Sequence, residues 1–294
     1  MNYFRFQRDL HFHLLESLLA LLVVLITALP ALAQTGLTLK PIIKNLSGAT
    51  AMSVAPTGSI FIVETDQNRI LEVDTAGQLL DSLGNYGFGN YQFDEPVDVD
   101  ATNGLRIYVS DNGNNRIQIF DRHLQYLSSI ADASNNPLTN TYYPTQLCID
   151  NRGDLFFYDG RSHYVFSFDH YGKYDRGFNT QALGAIHKPS DMICYGDRLY
   201  LADPADGVIH MLSLGGGYLG FLAQAGKVQG IATVGNGIWA VTPNTIIGYD
   251  MRGRLLVTKK LKLPDDPVGI GILGSTLYIL TRSELLKGPV PQLK

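Results

Sequence analysis

Charge is scarce in this chain: 17% of the 294 residues are Asp, Glu, Lys or Arg, and the formal net charge is −4. Without clustered Lys and Arg there is no electrostatic footprint for nucleic acid. The acidic excess is also too small to mark a solvating tail. Cysteine occurs twice and tryptophan once, which excludes a small scaffold held by disulfides. The sequence has no G-x-S-x-G, no H-E-x-x-H and no phosphate-binding loop, so none of these catalytic signatures points to an activity. Apolar residues, at 45%, are plentiful enough to bury a large core, which excludes disorder. A length near 300 residues is compatible with one all-β domain, because barrels and propellers often use this much chain.

The N-terminus has the order of a secretory signal. Arg5 and Arg8 precede an apolar run over residues 14–29, and Ala31, Leu32 and Ala33 supply the small residues of a cleavage site before Gln34. The competing reading is an uncleaved anchor, since the run approaches the roughly 20 residues of a membrane span. Pro30 and the A-x-A site favour cleavage, whereas Asp9 and Glu16 weaken the basic region. No cysteine follows the site, which argues against a lipid-anchored product. Residues 1–33 are therefore expected to be a signal peptide and 34–294 an exported domain, periplasmic, cell-surface or secreted, with no integral membrane segment left after cleavage.

The remaining chain repeats one unit. A glycine, a short gap and an Ile or Leu lead into an aromatic at Phe61, Tyr108, Phe156, Tyr200, Trp239 and Tyr278, at steps of 47, 48, 44, 39 and 39 residues. A period in this range, filled with short apolar runs and turn residues, predicts blades of four strands. Trp239 is then a core residue of its blade. An innermost strand is expected to begin at Pro96, Pro144, Pro189 and Pro267, with Ala49 and Val228 in the same place elsewhere. The last unit runs out of chain after Leu286, while a spare apolar segment, 37–44, precedes the first. The expected fold is thus all-β, a six-bladed β-propeller with an N-terminal strand closing the last blade, which removes an exposed sheet edge.

The second copy carries a longer pattern. Phe93-Asp94-Glu95-Pro96-Val97-Asp98-Val99 is followed by Ile107-Tyr108-Val109-Ser110-Asp111-Asn112-Gly113-Asn114-Asn115-Arg116-Ile117-Gln118-Ile119-Phe120-Asp121. This resembles an NHL repeat, and the first copy matches from Ile60 to Asp74. The third and fourth copies are degraded, and the last two keep the period and the apolar frame. The resemblance implies the six-bladed propeller and is compatible with binding or with catalysis, because propeller folds host unrelated functions. RNA binding, known in some cytoplasmic NHL proteins, is disfavoured by the export signal and the acidic balance.

Three residues past each aromatic stands Glu64, Asp111, Asp159, Asp203, Thr242 or Thr281. Recurrence once per blade at a strand exit assigns this column to turn structure, with Asn68-Arg69 and Asn115-Arg116 alongside it. The run Asp111–Asn115 lacks EF-hand spacing and is not a calcium loop. Of the five histidines after the signal, only His163 and His187 fall near turns that share a face, so no three-histidine zinc centre is expected. Cys148 and Cys194 lie four and five residues past their leading prolines. Alternation points them to opposite sides of their strands, so they are expected to be two free thiols.

Asymmetry marks the candidate site. The second and fourth residues past each leading position are small in blades one, five and six, but Asp98, Gln146 and Asp191 break that rule in blades two to four. These blades also receive the longest entry loops, 84–95, 131–143 and 177–188, the first two rich in aromatics. Loops on a rigid scaffold carry recognition, and tyrosine offers amphipathic contact area. The expected ligand site is therefore the loop-side channel mouth, with Asp98, Gln146 and Asp191 as floor, Tyr142 or Tyr143 as wall and Arg161 as a charge. The first functional expectation is a binding or scaffold module for a protein, peptide or glycan, with no cofactor and no nucleic acid. The alternative is a propeller hydrolase or lyase in which Asp98 and Asp191 hold a divalent metal or act as acid and base.

Overall fold

Short strands with β-branched and aromatic residues on both faces, interrupted at tight turns, have one way to bury themselves: sheet against sheet around a ring. The computed structural model, which describes residues 36–131, 133–184 and 186–292, has that form. It contains six four-stranded sheets. Five follow chain order from the inside outwards. Blade three, for example, runs Pro144–Ile149, Leu155–Asp159, Tyr164–Phe168 and Tyr174–Asn179. The sixth combines Pro267–Leu273, Thr276–Thr281 and Glu284–Pro289 with an N-terminal strand, Lys40–Lys44, as its outer member. That strand pairs antiparallel in the register Lys40 with Lys287, Pro41 with Leu286, Ile43 with Leu285 and Lys44 with Glu284. The ring closes as the repeat count requires. The signal segment lies outside the described residues, among which no helix is long and apolar enough to cross a membrane.

The core lies between blades. Each middle strand is almost wholly buried, as in Leu155–Asp159 and Gly237–Val241, because both faces of a blade pack against neighbours. Trp239 is buried with Val241, Ile246 and Ile279 and has the structural place its repeat position implies. Phe93 is fully buried against the first two blades, its ring tilted against Phe120 at 6.2 Å.

The acidic column proves to be the device that pins each entry loop to its blade. Asp111 accepts from Asp94 N at 2.8 Å, Asp159 from Tyr143 N at 2.8 Å, Asp203 from His187 N at 3.0 Å and Glu64 from Ser47 N at 2.6 Å. Four residues past each acid the chain takes a left-handed turn, at Asn68 (φ 51°), Asn115 (φ 57°), His163 (φ 58°) and Gly207 (φ 71°). Asparagine and glycine adopt that conformation readily.

Cys148 and Cys194 are joined in a disulfide, with Cα atoms 5.6 Å apart. The expectation of free thiols is corrected, and the reason is geometric. The two sides of an innermost strand face the preceding and the following blade, not channel and core. Cys148 points forward from blade three and Cys194 points back from blade four. Opposite orientation is what brings them together.

Candidate functional site

The same geometry explains the polar residues of the inner strands. Positions two and four past the leading proline point at the backbone of the next blade. Ser53 Oγ accepts from Ala101 N at 2.9 Å, and Asp100 accepts from Ile149 N at 3.0 Å. Asp98 accepts from Val99 N and Leu147 N, both at 2.8 Å. Asp191 accepts from Met192 N at 2.7 Å and Ile231 N at 2.8 Å. Between blades three and four the disulfide occupies the equivalent place. From blade five onwards glycine takes over, because a Cβ at Gly230 would stand 3.3 Å from Gly269 Cα and one at Gly271 would collide with Val54.

Asp98, Asp100 and Asp191 thus staple neighbouring blades and line a central cavity of about 170 Å³. Burial raises the Asp98 carboxyl well above its ordinary range, with the Asp191 charge adding to it. Burial also pushes Asp191 up, to about 6. Each carboxylate oxygen has a backbone donor, which restrains but does not cancel these shifts.

A larger pocket opens on the loop face. It has a volume of about 540 Å³ and joins blades two, three and four. Gln146, Tyr143 and Arg161 meet there, with the Arg161 guanidinium 3.6 Å above the Tyr143 ring. His163, His187 and Lys188 complete the wall, and Glu95 is the acidic residue of the lining. Gln146 also lines the narrow opening, about 50 Å³, that leads to Asp98 and Asp191. Tyr142 stands elsewhere: it is buried in blade three at 5.4 Å from Phe157, and Asn136 Nδ2 donates to its hydroxyl at 3.3 Å.

One hydrogen-bond pattern sets the state of a pocket histidine. The Tyr158 hydroxyl lies 2.8 Å from the His187 carbonyl, which accepts, and 2.7 Å from His163 Nδ1. With its only proton given to the carbonyl, Tyr158 accepts from His163, which must carry a hydrogen on Nδ1. Burial pushes the Tyr158 phenol up to about 12, so it keeps its proton at neutral pH.

The aromatic entry loop of blade two does not form the wall. Phe88 is 71% exposed, and only Glu95 of residues 84–95 reaches the pocket. Sequence reasoning missed Glu95 and Lys188 as lining residues. Both, like Tyr143, immediately precede the proline that leads into an innermost strand, and that shared place was the available signal.

The NHL repeat family matches residues 93–120, the stretch that includes Asp94, Asp111 and Arg116. The chain is a six-bladed β-propeller in which one stretch matches the NHL repeat. It is 31% identical over 101 residues to human NHL repeat-containing protein 3, a match spanning 33% of this chain and 28% of that protein. Among solved structures it is similar to a gluconolactonase from Xanthomonas campestris, at TM-score 0.68, 15% identity and 89% and 93% coverage of the two chains. A streptogramin B lyase is also similar, at TM-score 0.60, 13% identity and 88% and 89% coverage. At these identities the likeness is one of fold. Residues of the matched repeat do structural work here: Arg116 donates to Asp111 at 2.7 Å and to the Phe88, Gly89 and Gln92 carbonyls, holding the loop over 84–95.

Proposed function

We propose that this propeller is an extracytoplasmic recognition module whose loop-face pocket holds a polar group of a protein, peptide or glycan partner. The observation that supports it is the pocket itself, in which Tyr143 and Arg161 form a flat platform beside Gln146, His187 and Lys188. Pockets that bind combine an apolar surface with a few convergent polar groups. The order of the N-terminal residues supports export. The test uses residues 34–294 on glycan and peptide arrays, alongside Arg161→Ala combined with Lys188→Ala. Both side chains are exposed, so the variant should fold. A parent signal lost in the variant supports the reading; a signal that survives unchanged removes the pocket from consideration.

A second reading, a hydrolase or lyase, is favoured by the His163 imidazole in the pocket lining, which the Tyr158 hydroxyl holds at Nδ1. An oriented imidazole is the commonest general base. The structurally similar gluconolactonase makes lactones the first substrates to try. His163→Asn keeps the left-handed turn as Asn68 and Asn115 do. Lactone turnover by the parent that disappears in His163→Asn would establish this reading over simple binding.

A further inference from the structure

Comparison of the turns that follow the acidic column exposes a departure in blade four. In blade two the Asp111 carboxylate is surrounded by donors. Asn114 Nδ2 stands at 2.9 Å, Arg116 Nε at 2.7 Å and Gln118 Nε2 at 3.3 Å. In blade one Arg69 does the same for Glu64, at 2.5 Å. Counted from Asp203, the equivalent residues of blade four are Asp206, Val208 and His210. A second carboxylate and an imidazole have replaced the amide donors, and the arginine is gone. The backbone of the turn is nonetheless conserved in form, with Gly207 at the left-handed position.

The imidazole is the decisive group. His210 is 3% exposed, and its Nε2 is buried without a hydrogen-bond partner. Its Nδ1 meets the Tyr218 hydroxyl at 3.1 Å, while Nε2 faces Asp206 Oδ2 at 3.9 Å, too far for a hydrogen bond. If Nε2 carried the hydrogen it would have no acceptor in reach. If it carries the lone pair, that lone pair faces carboxylates. Either state leaves a buried nitrogen unsatisfied, which proteins rarely tolerate. An imidazole nitrogen with a free lone pair is the group that binds metals.

We propose that Asp203, Asp206 and His210 form a binding site for a first-row divalent transition cation, zinc above all, which takes the place held by an arginine in blades one and two. One ligand atom from each residue lies within 4.8 Å of the others. Donors around zinc at bond lengths near 2.1 Å stand about 3.4 Å apart, and Asp206, on the exposed side of the turn, closes the difference by side-chain rotation. Mixed imidazole and carboxylate ligation selects zinc or its transition-metal neighbours over magnesium. Tyr218 is the outer partner that orients the imidazole, as metal-bound histidines require. Asp203 also accepts from His187 N, so the cation would brace one wall of the loop-face pocket. The site itself stands independently of any reading of that pocket.

The test is isothermal titration of chelator-treated, untagged residues 34–294 with zinc and, separately, with magnesium. The expected result is one zinc per chain, a raised thermal midpoint and no magnesium uptake at the same concentrations. Asp206→Asn, on the exposed turn, should fold and weaken zinc binding at least about tenfold, the scale set by lesser, outer-shell changes. His210→Gln copies blade two and should do the same. No zinc uptake by the parent, or uptake undiminished in Asp206→Asn, would overturn the proposal even if His210→Gln fails to fold.

Discussion

The inner-strand aspartates show how one residue type is read differently before and after the ring is assembled. Carboxylates near a narrow channel suggest a ligand. In the folded ring Asp98 and Asp191 have both oxygens occupied by backbone amides of their own and the next blade. Their raised pKa values still carry a consequence. The folded Asp191 binds its proton up to about pH 6, against 3.8 for the ordinary carboxyl. Between those values the folded state holds more protons than the unfolded one, so this group's contribution to stability is fully present below pH 3.8 and is lost as pH rises through 6. Asp191→Asn removes the charge, although its amide nitrogen then meets one of the two backbone donors, so its stability relative to the parent should be greater at pH 7 than at low pH, by roughly 1–3 kcal/mol. The gain should shrink as pH falls below 5. Denaturant midpoints of parent and variant at both pH values check this, and an equal gain at both would exclude proton linkage as its cause.

At the scale of strands and turns, the inter-blade contacts share one register and differ in chemistry. Ser53, Asp100 and Cys148 occupy the same place in successive innermost strands and reach the same place in the next. A covalent bond in that series closes a loop of 46 residues, and loss of such a cross-link typically costs about 2–4 kcal/mol. Unreduced digests should yield the Cys148 and Cys194 peptides linked. Cys148→Ala with Cys194→Ala should lower the denaturant midpoint by a corresponding amount without changing the fold. Two separate peptides in the unreduced digest would contradict the pairing. The loop over 84–95 illustrates the turn chemistry: Arg116 holds it through three carbonyls and a carboxylate, so Arg116→Ala should loosen that loop before it unfolds the blade.

The whole molecule depends on closure. Lys40–Lys44 covers the edge of Glu284–Pro289, and Lys287 reaches Thr75 O at 2.7 Å, tying the last blade to the first. Removal of residues through Lys44 would leave that edge open, with Leu285 and Leu286 beneath it. The truncated chain should melt at lower temperature and self-associate, since open strand edges pair with other chains. Light scattering and thermal melts against the parent would show it; a monodisperse truncation with an unchanged melting point would mean the strand is dispensable.

The ring, its six units and the closing strand were legible in the residues alone, because a repeat's period and its apolar frame are local properties written along one chain. So was the structural nature of Asp111 and its equivalents, since a device repeated once per blade belongs to the blade. The partnerships between blades were not. Whether Cys148 meets Cys194, whether Asp98 faces water or Leu147 N, and whether Tyr142 or Tyr143 lines the pocket depend on which side of a strand faces which neighbour. Residues about 50 apart in sequence are brought within hydrogen-bond reach only by the curvature of the ring, as for Asp98 and Leu147 at a separation of 49. Alternation along a strand says that neighbouring side chains point opposite ways. Only the packed propeller decides what stands on each side to receive them.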